Sequence, residues 1–109
     1  MSVLERGKVD FGHVDEDKIT LCISDHIPWD DELVDAHLSV LQDKINDYMD
    51  FIDSGEIYEQ FGNKGKTPNI KVIFCYEPVK ITIDFLEKVK VILKDSGYEL
   101  EWIFRPIDL

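Results

Sequence analysis

The spacing of apolar residues changes several times along the chain, from every second residue to every third or fourth, and this constrains the fold more than any other feature. Strict alternation indicates a strand with one buried face, whereas steps of three and four indicate an amphipathic helix. In chain order the segments are predicted as strand, strand, helix, strand, helix, strand. The order ββαβαβ predicts an α+β fold.

The first two strands are expected to form a β-hairpin. Alternation runs from Val9 to His13 and again from Ile19 to Ile23, and the acidic residues 15–17 supply a turn between them. Two later strands are predicted over Asn69–Tyr76 and Tyr98–Phe104, because apolar and polar residues alternate in both.

Two amphipathic helices are predicted, one over Glu32–Asp53 and one over Ile81–Asp95, each followed by a Ser-Gly pair that ends it. Asp30 and Asp31 are expected to cap the first helix and to interact with its dipole. Residues 56–68 are predicted as an irregular loop with a short extended piece at 57–58.

The strand-helix-strand unit that ends at Phe104 should form a right-handed parallel pair. We therefore predict a two-layer sandwich, in which a mixed four-stranded sheet has both helices on one face. The other face would stay open and carry an apolar strip of Cys22, Ile73, Cys75 and Ile103. Our hypothesis is that Ile73 and Ile103 contact a second copy or another protein; the alternative is that the N-terminal segment folds over this face.

A chain of 109 residues has the size of a single domain, and we expect residues 1–109 to form one, with residues 1–8 as a flexible N-terminal segment. Neither a signal peptide nor a membrane span is indicated, so a cytoplasmic location is expected. The two cysteines have no disulfide-framework or zinc-site spacing and are interpreted as small apolar residues.

The net charge of −11 is unevenly distributed. Residues 1–60 contain 16 acidic and 4 basic residues, whereas residues 61–109 contain 7 and 8. Such a field repels nucleic acid and anionic membranes and attracts a basic protein, although an acidic surface also serves solubility alone. The acidic side of the first helix, including Asp43, Asp47 and Asp50, is the predicted contact surface.

Chemistry is most plausible where the second predicted strand leads into the first helix. Asp25, His26 and Trp29 lie in this connection, and His37 follows in the second turn of the helix. Such a group can bind a metal or move protons, but the spacing matches no metal motif. In the structural interpretation His37 is a half-buried histidine bonded to a loop carbonyl, Asp25 and His26 shape the turn, and Trp29 is an apolar staple at the helix start.

A second polar and aromatic patch covers residues 54–59 at the far end of the same helix, roughly 33 Å away. Tyr48 and Tyr58 are expected to tune the fit to a partner. Residues 62–67 lack the spacing of a phosphate loop and are interpreted as a flexible basic loop. No motif assigns a catalytic residue, a metal ligand or a cofactor.

Three strings carry a resemblance: ISDH followed by Trp29, then LQDKINDY over 41–48, then FIDSGEIYE over 51–59. Together they resemble a family of small acidic bacterial proteins known only as a domain of unknown function. The resemblance covers Val9 to Trp102. It implies a bacterial, cytoplasmic, stand-alone domain and carries no function with it.

Two classes of function follow from the sequence. The first is a protein-binding module, such as an immunity-type inhibitor or an adaptor, or a self-associating domain. The second is a small enzyme or a metal- or metabolite-binding domain that uses Asp25, His26 and His37. The absence of a catalytic motif favours the first class.

Overall fold

In the computed structural model, residues 12–62 and 65–106 are described, and they form four strands and three helices. In chain order these are β1 (Gly12–Val14), β2 (Lys18–Asp25), α1 (Val34–Asp53), α2 (Glu56–Phe61), β3 (Thr67–Phe74), α3 (Lys80–Asp95) and β4 (Glu99–Phe104). The α+β fold is confirmed. Within these residues, no helix is long and apolar enough to cross a membrane.

The four strands form one mixed sheet in the order β1-β2-β3-β4. β1 pairs with β2 antiparallel, which confirms the hairpin. β2 and β3 are parallel, as are β3 and β4, which confirms the predicted parallel pair. Because each parallel strand lies beside the previous one, right-handed crossovers bring the connecting helices to the same face of the sheet.

The core lies between that face and the helices. It is formed by alternate residues of β2, β3 and β4 together with one side of each helix: Ile19, Leu21, Ile23, Ile70, Val72, Phe74, Leu100, Leu41, Ile45, Tyr48, Ile52, Ile57, Leu86 and Leu93. The alternation predicts these seven strand residues to pack under the helices together with Tyr98, Trp102 and Phe104; of these three, Tyr98 and Trp102 are partly buried against the core and Phe104 is 46% exposed. The two-layer arrangement follows from them.

The segment after α1 differs from the prediction of an irregular loop. It forms the short helix α2, and the expected extended piece at 57–58 is wrong: Ile57 is helical and fully buried. Gly55 has φ of 85°, a left-handed conformation that costs glycine little and lets the chain turn between α1 and α2. A helix of six residues is too short to show a helical period in the sequence.

The end of β3 and the start of α1 also differ from the prediction. β3 ends at Phe74, so Cys75 lies just beyond the strand rather than on the open face. The prediction that Asp30 and Asp31 cap α1 is wrong, because the residue before α1 is Leu33, with no side-chain cap bond. Asp30 instead accepts a hydrogen bond from the Glu32 backbone N–H. The strand predicted from Val9 and the flexible segment 1–8 lie outside the described residues.

β1 approaches the helical layer closely. A Cβ atom added to Gly12 would lie 2.9 Å from Cζ of Phe61 and 2.9 Å from the carbonyl oxygen of Thr20. Both distances are shorter than a van der Waals contact. Glycine at this position therefore lets α2 pack over the edge of the sheet.

Candidate functional site

The carboxyl ends of the three parallel strands lie at the same end of the sheet. The backbone N–H of Cys75 donates to the Asp25 carbonyl at 2.9 Å, and the N–H of Arg105 donates to the Phe74 carbonyl at 2.8 Å. In open sheets with parallel strands, ligands commonly bind at the carboxyl ends of the strands. The residues singled out in the β2–α1 connection lie here.

Asp25 and His37 form a buried pair. Nε2 of His37 lies 2.9 Å and 2.7 Å from the two carboxylate oxygens of Asp25. The exposed fraction is 0% for Asp25 and 5% for His37. Since Nε2 faces two acceptors, it carries a proton, and Asp25 accepts a further bond from the Ile27 backbone N–H at 3.0 Å. The pair ties the end of β2 to the first turns of α1, and the partner of His37 is a carboxylate rather than the predicted loop carbonyl.

Trp29 covers this pair. Its ring stacks on the His37 imidazole with centroids 3.5 Å apart and planes 14° apart, and it lies 6.0 Å from the Phe74 ring. The interpretation of Trp29 as an apolar staple at the helix start fits these contacts. In the described part of the chain, Nδ1 of His37 and Nε1 of Trp29 are buried without a hydrogen-bond partner. Asp25 orients the imidazole ring, and bulk water does not reach Nδ1.

His26 lies in a different contact. Its side chain is exposed, and Nδ1 is 3.1 Å from Sγ of Cys75. The two side chains are therefore within hydrogen-bond distance of each other. Cys75 was not predicted as a site residue, because the predicted strand extended two residues beyond the end of β3. The signal that could have identified it is its position at the end of a buried strand.

The structure thus separates the predicted Asp-His-His group into two pairs. His37 contacts Asp25, whereas His26 contacts Cys75. Among residues 12–62 and 65–106, no three His, Cys, Asp or Glu side chains are arranged to hold a metal ion. The other cysteine, Cys22, is buried, and burial raises the pKa of its thiol.

Tyr48 does not lie on a contact surface, which corrects the prediction. It is fully buried, and its hydroxyl donates to the Cys22 carbonyl at 2.6 Å. Tyr58 is half-buried and donates to the Lys66 carbonyl at 3.2 Å. It lines a shallow cavity of about 460 Å³ with Ser54, Gly55, Glu59 and Gly62, at the opposite end of α1 from His37.

The predicted interface residues lie on two surfaces. Asp50 is exposed on α1, while Asp43 and Asp47 are half-buried and each makes contacts. Ile73 and Ile103 are neighbours in the β3–β4 register and are half-buried on the face away from the core. Cys22, at 5% exposed, adds little to the predicted apolar strip.

A larger cavity of about 620 Å³ lies at the amino ends of the parallel strands and was not predicted. It is lined by Lys18, Thr67, Asn69, Lys90, Lys94, Gly97, Tyr98, Glu99, Leu100 and Glu101. Within it Lys18 bonds to Glu99 at 2.9 Å, and this contact raises the pKa of Lys18. The cavity borders the first residues of β4 at the edge of the sheet.

Comparison with known proteins gives a family and nothing beyond it. A model described as a family of unknown function (DUF6572) matches residues 1–105. No curated protein and no solved structure matches the chain. The resemblance to a domain of unknown function is thereby confirmed.

Proposed function

The chain belongs to DUF6572, a family of unknown function, and we propose that it is a protein-binding module whose acidic surface binds a basic partner. The observation that carries this proposal is the set of exposed carboxylates in residues 12–60. They are Asp15, Glu16, Asp17, Asp30, Asp31, Glu32, Asp35, Asp50, Asp53, Glu56 and Glu59.

Within residues 12–60 few cations offset these carboxylates, and from the second half of the chain Lys66 donates to the Asp15 backbone carbonyl. Residues 12–60 contain two lysines, of which Lys18 bonds to Glu99 and Lys44 is 1% exposed. A surface with one sign of charge raises the rate of encounter with a partner of the opposite sign, and salt weakens the effect. The partner fitted by this surface is a basic protein, and the complex should be salt-sensitive.

An apolar residue is available within the acidic surface. Leu33 is 60% exposed at the start of α1, next to Asp31, Glu32 and Asp35. Interfaces gain most of their affinity from a few apolar anchors that exclude water, surrounded by polar residues that set specificity. Leu33 and its neighbours have this composition, which suits an inhibitor or an adaptor.

The test compares two triple variants that change the net charge equally. Asp35→Asn, Asp50→Asn and Glu59→Gln neutralise the proposed surface, whereas Glu77→Gln, Glu87→Gln and Asp95→Asn neutralise exposed residues outside it. Each protein is used as bait in lysate at low salt and eluted by a salt gradient. A basic protein retained by wild type and by the second variant, but lost from the first, would support the proposal.

Equal loss from both variants would show a response to net charge alone and would contradict a specific acidic surface. A Leu33→Ala variant sharpens the result, because it leaves the charge unchanged. If Leu33 is an anchor, this variant should release the captured protein at lower salt.

A second candidate function rests on the carboxyl ends of the parallel strands, where the His26–Cys75 contact adjoins the Asp25–His37 pair. We propose as the alternative a small ligand-binding domain or enzyme that uses Asp25, His26 and His37, with Cys75 as a further group. A metabolite that raises the melting temperature of wild type but not of His26→Ala would support it. His13→Ala, in an exposed histidine on β1, is the control.

A further inference from the structure

Within residues 12–62 and 65–106, no strand pairs with the outer edge of β4, and one hydrogen bond shows which of its backbone groups point to that edge. The N–H of Arg105 donates to the Phe74 carbonyl, so residues 99, 101, 103 and 105 direct their backbone groups towards β3. Since these groups alternate along a strand, the N–H and C=O groups of Leu100, Trp102 and Phe104 point to the free edge.

We propose that two copies of the chain associate edge to edge through β4, antiparallel, with Trp102 opposite Trp102 of the second copy. The two four-stranded sheets then form one continuous sheet across a two-fold axis. This self-association is independent of the basic partner proposed above, because it uses β4 rather than the exposed carboxylates of residues 12–60.

The hydrogen bonds favour this register. With Trp102 on the axis, Trp102 pairs with Trp102 of the second copy, and Leu100 pairs with Phe104 of the second copy, twice by symmetry. These three pairs exchange about six backbone hydrogen bonds. Moving the axis to Ile103 leaves about four within β4, because Leu100 would then face Pro106 of the second copy, which lies beyond the strand and has no N–H to donate. Moving it to Glu101 places two like charges directly opposite each other.

The side chains agree with the same register. Glu99 lies opposite Arg105 of the second copy, and this pair occurs twice by symmetry. On the face of the sheet that carries the helices, Phe104 of one copy lies beside Leu100 of the other. The Phe104 side chain is 46% exposed in the single chain, and the dimer would bury it. Glu99 already bonds to Lys18, so Arg105 of the second copy would join an existing ion pair.

The charge distribution permits the contact. β4 belongs to residues 61–109, which contain 7 acidic and 8 basic residues, whereas the acidic excess lies in residues 1–60. The sheet order places β1 and β2 on the far side from β4. Pairing through β4 therefore keeps the acidic turn at residues 15–17 of one copy away from the same turn of the other. Lys90 opposes it, because its Nζ lies 5.7 Å from the Trp102 ring and would approach Lys90 of the second copy.

The contrast with the other edge strengthens the inference. In the part of the chain that the structure describes, β1 offers three residues for pairing, whereas β4 offers six. A long exposed edge strand invites pairing with another strand unless it is protected. β4 carries neither an internal proline nor a lysine that would block it.

Sedimentation velocity at about 1 to 200 µM tests the proposal on wild type, Glu99→Arg, Arg105→Glu and the double variant. Each single variant creates two like-charge contacts and is expected to weaken dimerisation about tenfold or more. The double variant restores opposite charges and should recover most of the affinity. The double variant Glu101→Arg with Arg105→Glu would recover it only if the axis lay at Ile103.

Two results would overturn the proposal. One is a wild-type chain that stays monomeric at the highest concentration. The other is a dimer that both single variants leave intact; Ile73→Thr would then show whether the open face of the sheet holds it. The acidic-surface variants described above change no residue of β4. If the self-association proposal fails, the basic-partner proposal is unaffected, and if the basic-partner proposal fails, the self-association proposal is unaffected.

Discussion

The two halves of the chain contribute differently to one sheet. Residues 12–61 place carboxylates on the surface and join strand to helix through buried polar contacts, Asp25 with His37 and Tyr48 with the Cys22 carbonyl. Residues 67–106 are nearly neutral, pack α3 through the apolar residues Leu86 and Leu93, and leave several large apolar side chains exposed.

The difference has a physical consequence. A buried polar pair fixes one arrangement, since removing one partner leaves the other desolvated without a bond. Apolar contacts have no directional requirement of this kind. Exposed apolar residues such as Ile81, Val91 and Ile92 remain available for contacts with another molecule. The first half is thus suited to long-range attraction of an opposite charge, and the second to short-range association.

The largest expected effect is in the first half. Asp25→Ala leaves His37 buried without its partner and should lower the free energy of unfolding by about 3–5 kcal/mol. Chemical denaturation monitored by tryptophan fluorescence measures it, and Asp31→Ala, at an exposed acid nearby, is the control. Equal stability of the two variants would show that the pair does not hold β2 to α1.

Tyr48→Phe should lower the free energy of unfolding by about 1–2 kcal/mol, because it removes the bond to the Cys22 carbonyl without leaving a cavity. Tyr58→Phe is the matched control, since its hydroxyl bond is longer and half-exposed. A larger loss for Tyr58 than for Tyr48 would contradict the account of buried polar contacts in this half.

Thr82→Val tests the second half and should have the opposite sign. The Thr82 side chain is fully buried, and among the described residues its hydroxyl has no hydrogen-bond partner. Valine keeps the volume and removes the desolvated hydroxyl, so a gain of about 1 kcal/mol is expected. A loss of stability on thermal unfolding would show that the hydroxyl is satisfied in solution.

The smallest effect concerns the junction of the halves. The Tyr98 hydroxyl donates to the Asp53 carboxylate at 2.6 Å, and this bond, with burial, raises the pKa of Tyr98 to about 12. The unfolded chain loses that proton near pH 10, whereas the folded chain keeps it. The contribution of Tyr98 is therefore complete below pH 10 and is lost as the pH rises to about 12.

The measurement is the difference in melting temperature between wild type and Tyr98→Phe. It should be constant up to about pH 9 and should shrink between pH 10 and pH 12. A difference that stays constant over this range would indicate that the bond does not couple protonation to folding.

The alternation in Ile19–Ile23, Asn69–Tyr76 and Tyr98–Phe104 and the helical steps of α1 and α3 were sufficient to predict the fold class and the side of each strand that faces the core, although β3 ends at Phe74 and Phe104 is 46% exposed. The helix α2 was missed because six residues show no period, and its burial depends on Ile57 meeting the core. In the candidate site, the approach of His37 to Asp25 followed from the helix start, but Cys75 beside His26 did not.

The sequence by itself determined which residues alternate, which repeat at helical steps and where the charge lies, because these are local properties of consecutive residues. Only the tertiary structure decided the strand order, the bond of Tyr48 to the Cys22 carbonyl, the division of the histidines into two pairs and the position of β4 at the end of the described sheet. These depend on contacts between residues far apart in the chain, such as Cys75 with His26 and Arg105 with Phe74. No local pattern encodes such distances.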